Sequence, residues 1–96
     1  MASIRRLKKD IDYLAFSVIG DCFNYSIVSG KNDPKVGEIV KEMIATRNEL
    51  RNRVSQGTSS KEKKAVREYY TSIFRDLLTK TDKAFTELSE LVKSAE

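Results

Sequence analysis

The chain contains no histidine and no tryptophan, and only one cysteine and one proline among its 96 residues. The absence of histidine removes the side chain that most often moves protons near neutral pH. With a single cysteine as well, the Cys/His ligand sets of zinc sites cannot be assembled. Cys22 alone cannot close an intrachain disulfide, and such cysteine usage fits a reducing compartment. Gly20, Gly30, Gly37 and Gly57 are scattered and form no phosphate-cradling loop. Long apolar runs are missing too: the longest, residues 13–19, falls far short of the ~20 residues a membrane span takes. Residues 1–9 carry Arg5, Arg6, Lys8 and Lys9, but Asp10, Asp12 and Asp21 break up the next stretch, so no signal peptide is expected. These absences lead to the expectation of a cytoplasmic, non-enzymatic protein with no cofactor, no metal and no membrane association.

Present instead is a charge-rich chain with enough apolar residues for a core: 40% are hydrophobic and 33% charged. That balance argues for one folded domain rather than disorder. A domain this small buries a modest share of its surface, so stability must come from efficient helix packing, from a partner subunit, or from both.

Two turn-rich stretches, residues 29–34 (SGKNDP) and 55–60 (SQGTSS), divide the chain into three segments. In the first, about 3–29, Ser3 can cap the start. Apolar residues recur at Ile4, Leu7, Ile11, Leu14, Val18, Tyr25 and Val28, the three-and-four spacing of a helix face; Asp21 is the exception. In the second, about 34–54, Asp33 is a good N-cap and Pro34 suits the first helical position. Its face is Val36, Ile39, Val40, Met43, Ile44, Leu50 and Val54, interrupted by Arg47, with Gly57 as a stop. In the third, about 60–94, Ser59 or Ser60 can cap. Its face is Val66, Tyr70, Ile73, Leu77, Thr81, Ala84, Leu88, Leu91 and Ala95. The four-and-four spacing through Leu77 and Thr81 is a stutter in the heptad. The expected fold is all-α: an antiparallel three-helix up-down-up bundle with a long third helix. A bend near Thr81, or completion of that helix by a second copy, stays open at this level.

Aligned at a tight second loop, Val36 falls opposite Thr81 and the rest of the third helix overhangs. The overhang carries Phe85, Leu88, Leu91 and Val92 at helical spacing. A bend over the 29–34 loop, a homo-oligomer, or a docking stripe for another protein would each cover it. The first helix carries a second apolar stripe, Tyr13, Phe16, Phe23 and Ile27. Either the other helices cover it, or it is an exposed contact surface. Ser17 and Gly20 would let another backbone approach, and a helical Gly costs about 1 kcal/mol relative to Ala.

Asp21 and Arg47 occupy expected core positions and are read as a candidate core ion pair that sets helix register. The alternative is a small polar pocket with Asn24, Tyr25 or Tyr69 nearby. Cys22 reads as a core residue. Cations cluster at one pole: Arg5, Arg6 and Lys9 on the first helix, Arg51 and Arg53 on the second, Lys61, Lys63, Lys64 and Arg67 on the third. Residues 1–14 and 47–68 carry a net +6, and the remainder −2. That pole is a candidate anion-binding surface, weighed against a solvated mixed-charge face.

The runs IDYLAFSVIGDCFNYSIV, RNELRNRV and YYTSIFRDLLTKTDKAFTELSELV are similar to short, uncharacterised all-helical bacterial proteins. The resemblance implies the helical fold and attaches no activity. The functional expectation is a protein-interaction or assembly module, self-associating as a homo-oligomer (a dimer) or binding another protein. Nucleic-acid or polyanion binding through the basic pole is the alternative.

Overall fold

The computed structural model describes residues 4–30 and 33–95. Three helices occur in order: α1 (Ile4–Ser29), α2 (Pro34–Gln56) and α3 (Lys63–Ala95). The expected cap at Ser3 and the side chain of Ala95 lie outside the described residues. Every helix packs on both others, giving an all-α up-down-up bundle of 52 × 19 × 17 Å. No helix among the described residues is long and apolar enough to cross a membrane.

Local chemistry accounts for the boundaries. Gly30, at φ 67°, closes α1, and its N–H donates to Ser26 O at 3.0 Å. Asp33 caps α2: its carboxylate accepts from the Lys35 N–H at 2.9 Å, and Pro34 opens the helix. Gly57 ends α2 at φ 66°, ψ −165°, a backbone region nearly closed to other residues. Its N–H donates to Arg53 O at 3.2 Å. The helix thus reaches Gln56, slightly beyond Val54. The second loop is longer than expected, because α3 starts at Lys63 rather than near residue 60. Within it the Thr58 hydroxyl accepts from the Ser60 N–H, and the Ser60 hydroxyl accepts from the Glu62 N–H, each at 3.3 Å. Such side-chain bonds offer the backbone an alternative to helix.

The core has two packed layers. One joins Leu7, Ile11, Leu50, Val54, Ile73 and Leu77. The other joins Ala15, Val18, Cys22, Val36, Ile39, Met43, Ala84, Leu88 and Leu91. Thr81, 5% exposed, belongs to neither cluster. Its hydroxyl donates to Leu77 O at 2.6 Å, so the polar atom is satisfied inside its own helix. The stutter is absorbed in this way, and α3 runs unbroken through it.

Two expectations give way to the observed packing. Val36 packs in the same layer as Leu88 and Leu91, not opposite Thr81. Leu88 and Leu91, 6% and 8% exposed, are therefore core residues of a single chain and not an open stripe. The reason is axial register. The Tyr69 hydroxyl donates to Arg53 O at 2.6 Å, and Arg53 Nη1 reaches Asp76 Oδ2 at 2.7 Å. The last turn of α2 is thus level with the third turn of α3, and the long loop spans the offset. The overhang exists, but at the basic start of α3: about two turns, or roughly 10 Å.

Candidate functional site

The core face of α1 is Leu7, Ile11, Ala15, Val18 and Cys22. At 100° per residue the opposite face is Tyr13, Phe16, Gly20, Phe23 and Ile27, spaced three, four, three and four. That is the spacing of a coiled-coil seam. The bundle does not cover it: Tyr13, Phe16, Phe23 and Ile27 are 73%, 55%, 59% and 77% exposed. α1 is therefore apolar on two opposite faces and packed on only one.

Gly20 sits in the middle of this seam. A Cβ added there would meet nothing within 4 Å, so packing within the chain gives no reason for a glycine. Ser17, beside it, donates its hydroxyl to Tyr13 O at 2.8 Å and makes no demand on a neighbour.

One edge of the seam is organised by charge. Asp12 Oδ1 accepts from Arg47 Nε at 2.9 Å, and Asp12 Oδ2 accepts from Arg51 Nη1 at 2.7 Å. Arg51 also reaches Lys8 O at 3.5 Å. Held this way, the Arg47 guanidinium lies 5.5 Å from the centre of the Phe16 ring, a cation–π contact. Ile44, one turn before Arg47, is also exposed. On α3, Phe74, Leu78 and Val92 are exposed, while Phe85 is half-buried against the core layer of Val18, Met43 and Leu88. Of the eight expected interface residues, five remain exposed, Phe85 is partly buried, and Leu88 and Leu91 are core.

The Asp21–Arg47 pair is not formed. Asp21 is exposed and Arg47 bonds Asp12 instead. Asp12 and Asp21 are nine residues apart, half a turn out of phase, so they flank opposite sides of the core face. Only Asp12 is on the side turned to α2. The polar pocket is not assembled either. Tyr25 donates to Leu91 O at one end of the bundle, and Tyr69 to Arg53 O at the other. Sequence reading passed over Asp12. The signal that could have found it is Arg47 and Arg51, one turn apart and facing a single carboxylate on the neighbouring helix.

Cys22 is fully buried in the core layer of Ala15, Val18 and Met43. Loss of solvent around the thiol pushes its pKa up, and the adjacent Asp21 carboxylate adds to the rise. The thiol therefore stays protonated and inert.

At the basic pole, Arg51 is bridged to Asp12 and Arg53 to Asp76. Those two are committed to the bundle rather than offered to an anion. Arg5, Arg6 and Lys9 are exposed on α1, and Lys61, Lys63, Lys64 and Arg67 are exposed on and before the protruding start of α3. Among the described residues no group of His, Cys, Asp or Glu could hold a metal ion. A cleft of about 430 Å³ at the other end is lined by Lys35, Glu38, Glu87 and Glu90 among others. Comparison with protein-family models, with curated proteins and with solved structures finds no match to this chain.

Proposed function

We propose that this chain is a non-enzymatic assembly module that self-associates through the outer face of α1. The carrying observation is the seam itself: four large apolar side chains, each more than half exposed, in a continuous row on a rigid helix. Such rows mark contact surfaces in proteins that live in water. Asp12, Arg47 and Arg51 pre-order one edge of the surface, which lowers the entropy cost of closing it. A buried free thiol fits a reducing cytoplasm as the setting.

Light scattering coupled to size-exclusion chromatography tests the proposal. A mass near twice 10.9 kDa is expected at tens of micromolar. Replacing Phe16 and Phe23 together by Ser should return the protein to a monomer with unchanged helix content, because neither side chain is in the core. A wild-type monomer at tens of micromolar overturns the proposal.

A second reading, polyanion binding at the pole, is favoured by one observation. The first two turns of α3 extend past α2 and carry Lys63, Lys64 and Arg67 into solvent, with Lys61 just before them. Binding to heparin or duplex DNA should then weaken steeply with salt. It should be lost when Lys61, Lys63 and Lys64 are changed to Glu. No binding at low salt removes this reading.

A further inference from the structure

Resting on the self-association proposed above, we infer that the partner is a second copy lying antiparallel across α1, with Phe23 of each chain seated over Gly20 of the other. Three observations carry this, none of which the seam's exposure alone supplies.

The first is charge. The basic pole lies at the start of α1, and α1 has neither an acidic residue in its first turn nor a basic residue in its last. Its N-terminal cations therefore sit at the positive end of the helix dipole, and its negative end has no compensating charge on the helix. A parallel pair would stack two such poles together. An antiparallel pair instead separates the two poles by most of the molecule's length. A two-fold arrangement of this kind is self-complementary, as closed dimers require.

The second is Gly20. Its unfilled Cβ position and its cost to the helix have no explanation within one chain. A glycine at the centre of a seam leaves a hole for a large knob and lets the axes approach to about 8 Å. Antiparallel seams place each residue of one type opposite the other type, and two of the registers that match the spacing set a phenylalanine on Gly20 of the partner subunit.

The third distinguishes those registers. If paired residue numbers sum to 36, Ile27 meets Lys9 of the partner subunit, which puts an ammonium on an apolar seam. If they sum to 43, Phe16 meets Ile27, Phe23 meets Gly20 and Tyr13 meets Gly30. Only the second register buries Ile27, which is 77% exposed in the single chain. It is the register we assign.

Spin labels at single introduced cysteines read the arrangement, since buried Cys22 does not label in the folded protein. With Arg5→Cys the register requires a label separation of about 50 Å, and with Val28→Cys about 20 Å, from a rise of 1.5 Å per residue. Separations of about 40 and 30 Å report the other antiparallel register. Separations of about 10–15 Å at both sites report a parallel pair. Either of those results overturns this inference while leaving self-association standing. A monomer by light scattering removes both. Gly20→Ala is the second arm. It should raise the melting temperature of the dilute chain yet weaken dimerisation by about ten- to a hundredfold, as a methyl in a tight contact does. A dimer unaffected by that methyl means that Phe23 does not sit there.

Discussion

Leu77→Ala is expected to destabilise the folded chain by about 2–5 kcal/mol. Leu77 is fully buried and packs in one layer with residues from all three helices, including Ile11, Leu50 and Val54. Truncation removes apolar contact and leaves a cavity that the surrounding helices cannot fully collapse into. Stability for a domain of this size is only about 5–15 kcal/mol in total, so the loss is a large fraction. The thermal midpoint should drop by roughly 10–30 °C. Leu78→Ala is the matched comparison: the same substitution one residue later, at a side chain 48% exposed. It should change stability by no more than about 0.5 kcal/mol. Circular dichroism melts of both variants decide the matter, and equal effects would contradict the packing of α3 against its neighbours.

Alkaline pH should expose the burial of Cys22. Its thiol is raised above the ordinary 9.0, first by desolvation and then by Asp21. The folded chain holds that proton where the unfolded chain has lost it. Unfolding then releases a proton, so stability falls as pH rises above 9, by up to about 1.4 kcal/mol per pH unit until the raised value is passed. Below the ordinary value both states keep the proton and the effect vanishes. Lys and Tyr groups titrate in the same range, so the informative quantity is wild type minus Cys22→Ala. Denaturant unfolding between pH 7 and 10.5 should show that difference shrinking with pH. A constant difference would mean that the thiol ionises alike in both states.

The outer seam of α1 and the charge-ordered edge are coupled in this structure. Arg47 both satisfies Asp12 and covers part of the Phe16 ring. It thereby fixes one wall of the seam without closing it. The protruding start of α3, at the other side of the pole, leaves the cations there independent of that wall. In the antiparallel pair we propose, the two poles point to opposite ends. Polyanion binding and self-association are therefore geometrically compatible.

Asp33, Pro34 and Gly57 announced the limits of α2 from sequence because capping and positive φ are decided within a few residues. Most of each helix face was legible for the same reason, side-chain direction coming from a 100° step along one helix, but Ile4, Val28 and Ile44, placed on those faces by spacing, are exposed at helix ends or face edges. The stripe of Tyr13, Phe16, Phe23 and Ile27 could be read this way, with Gly20 beside it. Whether α2 and α3 would cover it could not be, because that depends on where whole helices dock. Axial register was the other quantity out of reach. A loop between α2 and α3 can turn tightly or climb, and only the packed positions of Tyr69, Asp76 and Arg53 show that it climbs. That shift moved Leu88 and Leu91 into the core, and phase and register together gave Arg47 to Asp12 rather than Asp21. Local periodicity thus determined what each helix offers, and the long-range fit of three helices decided which offers were taken up.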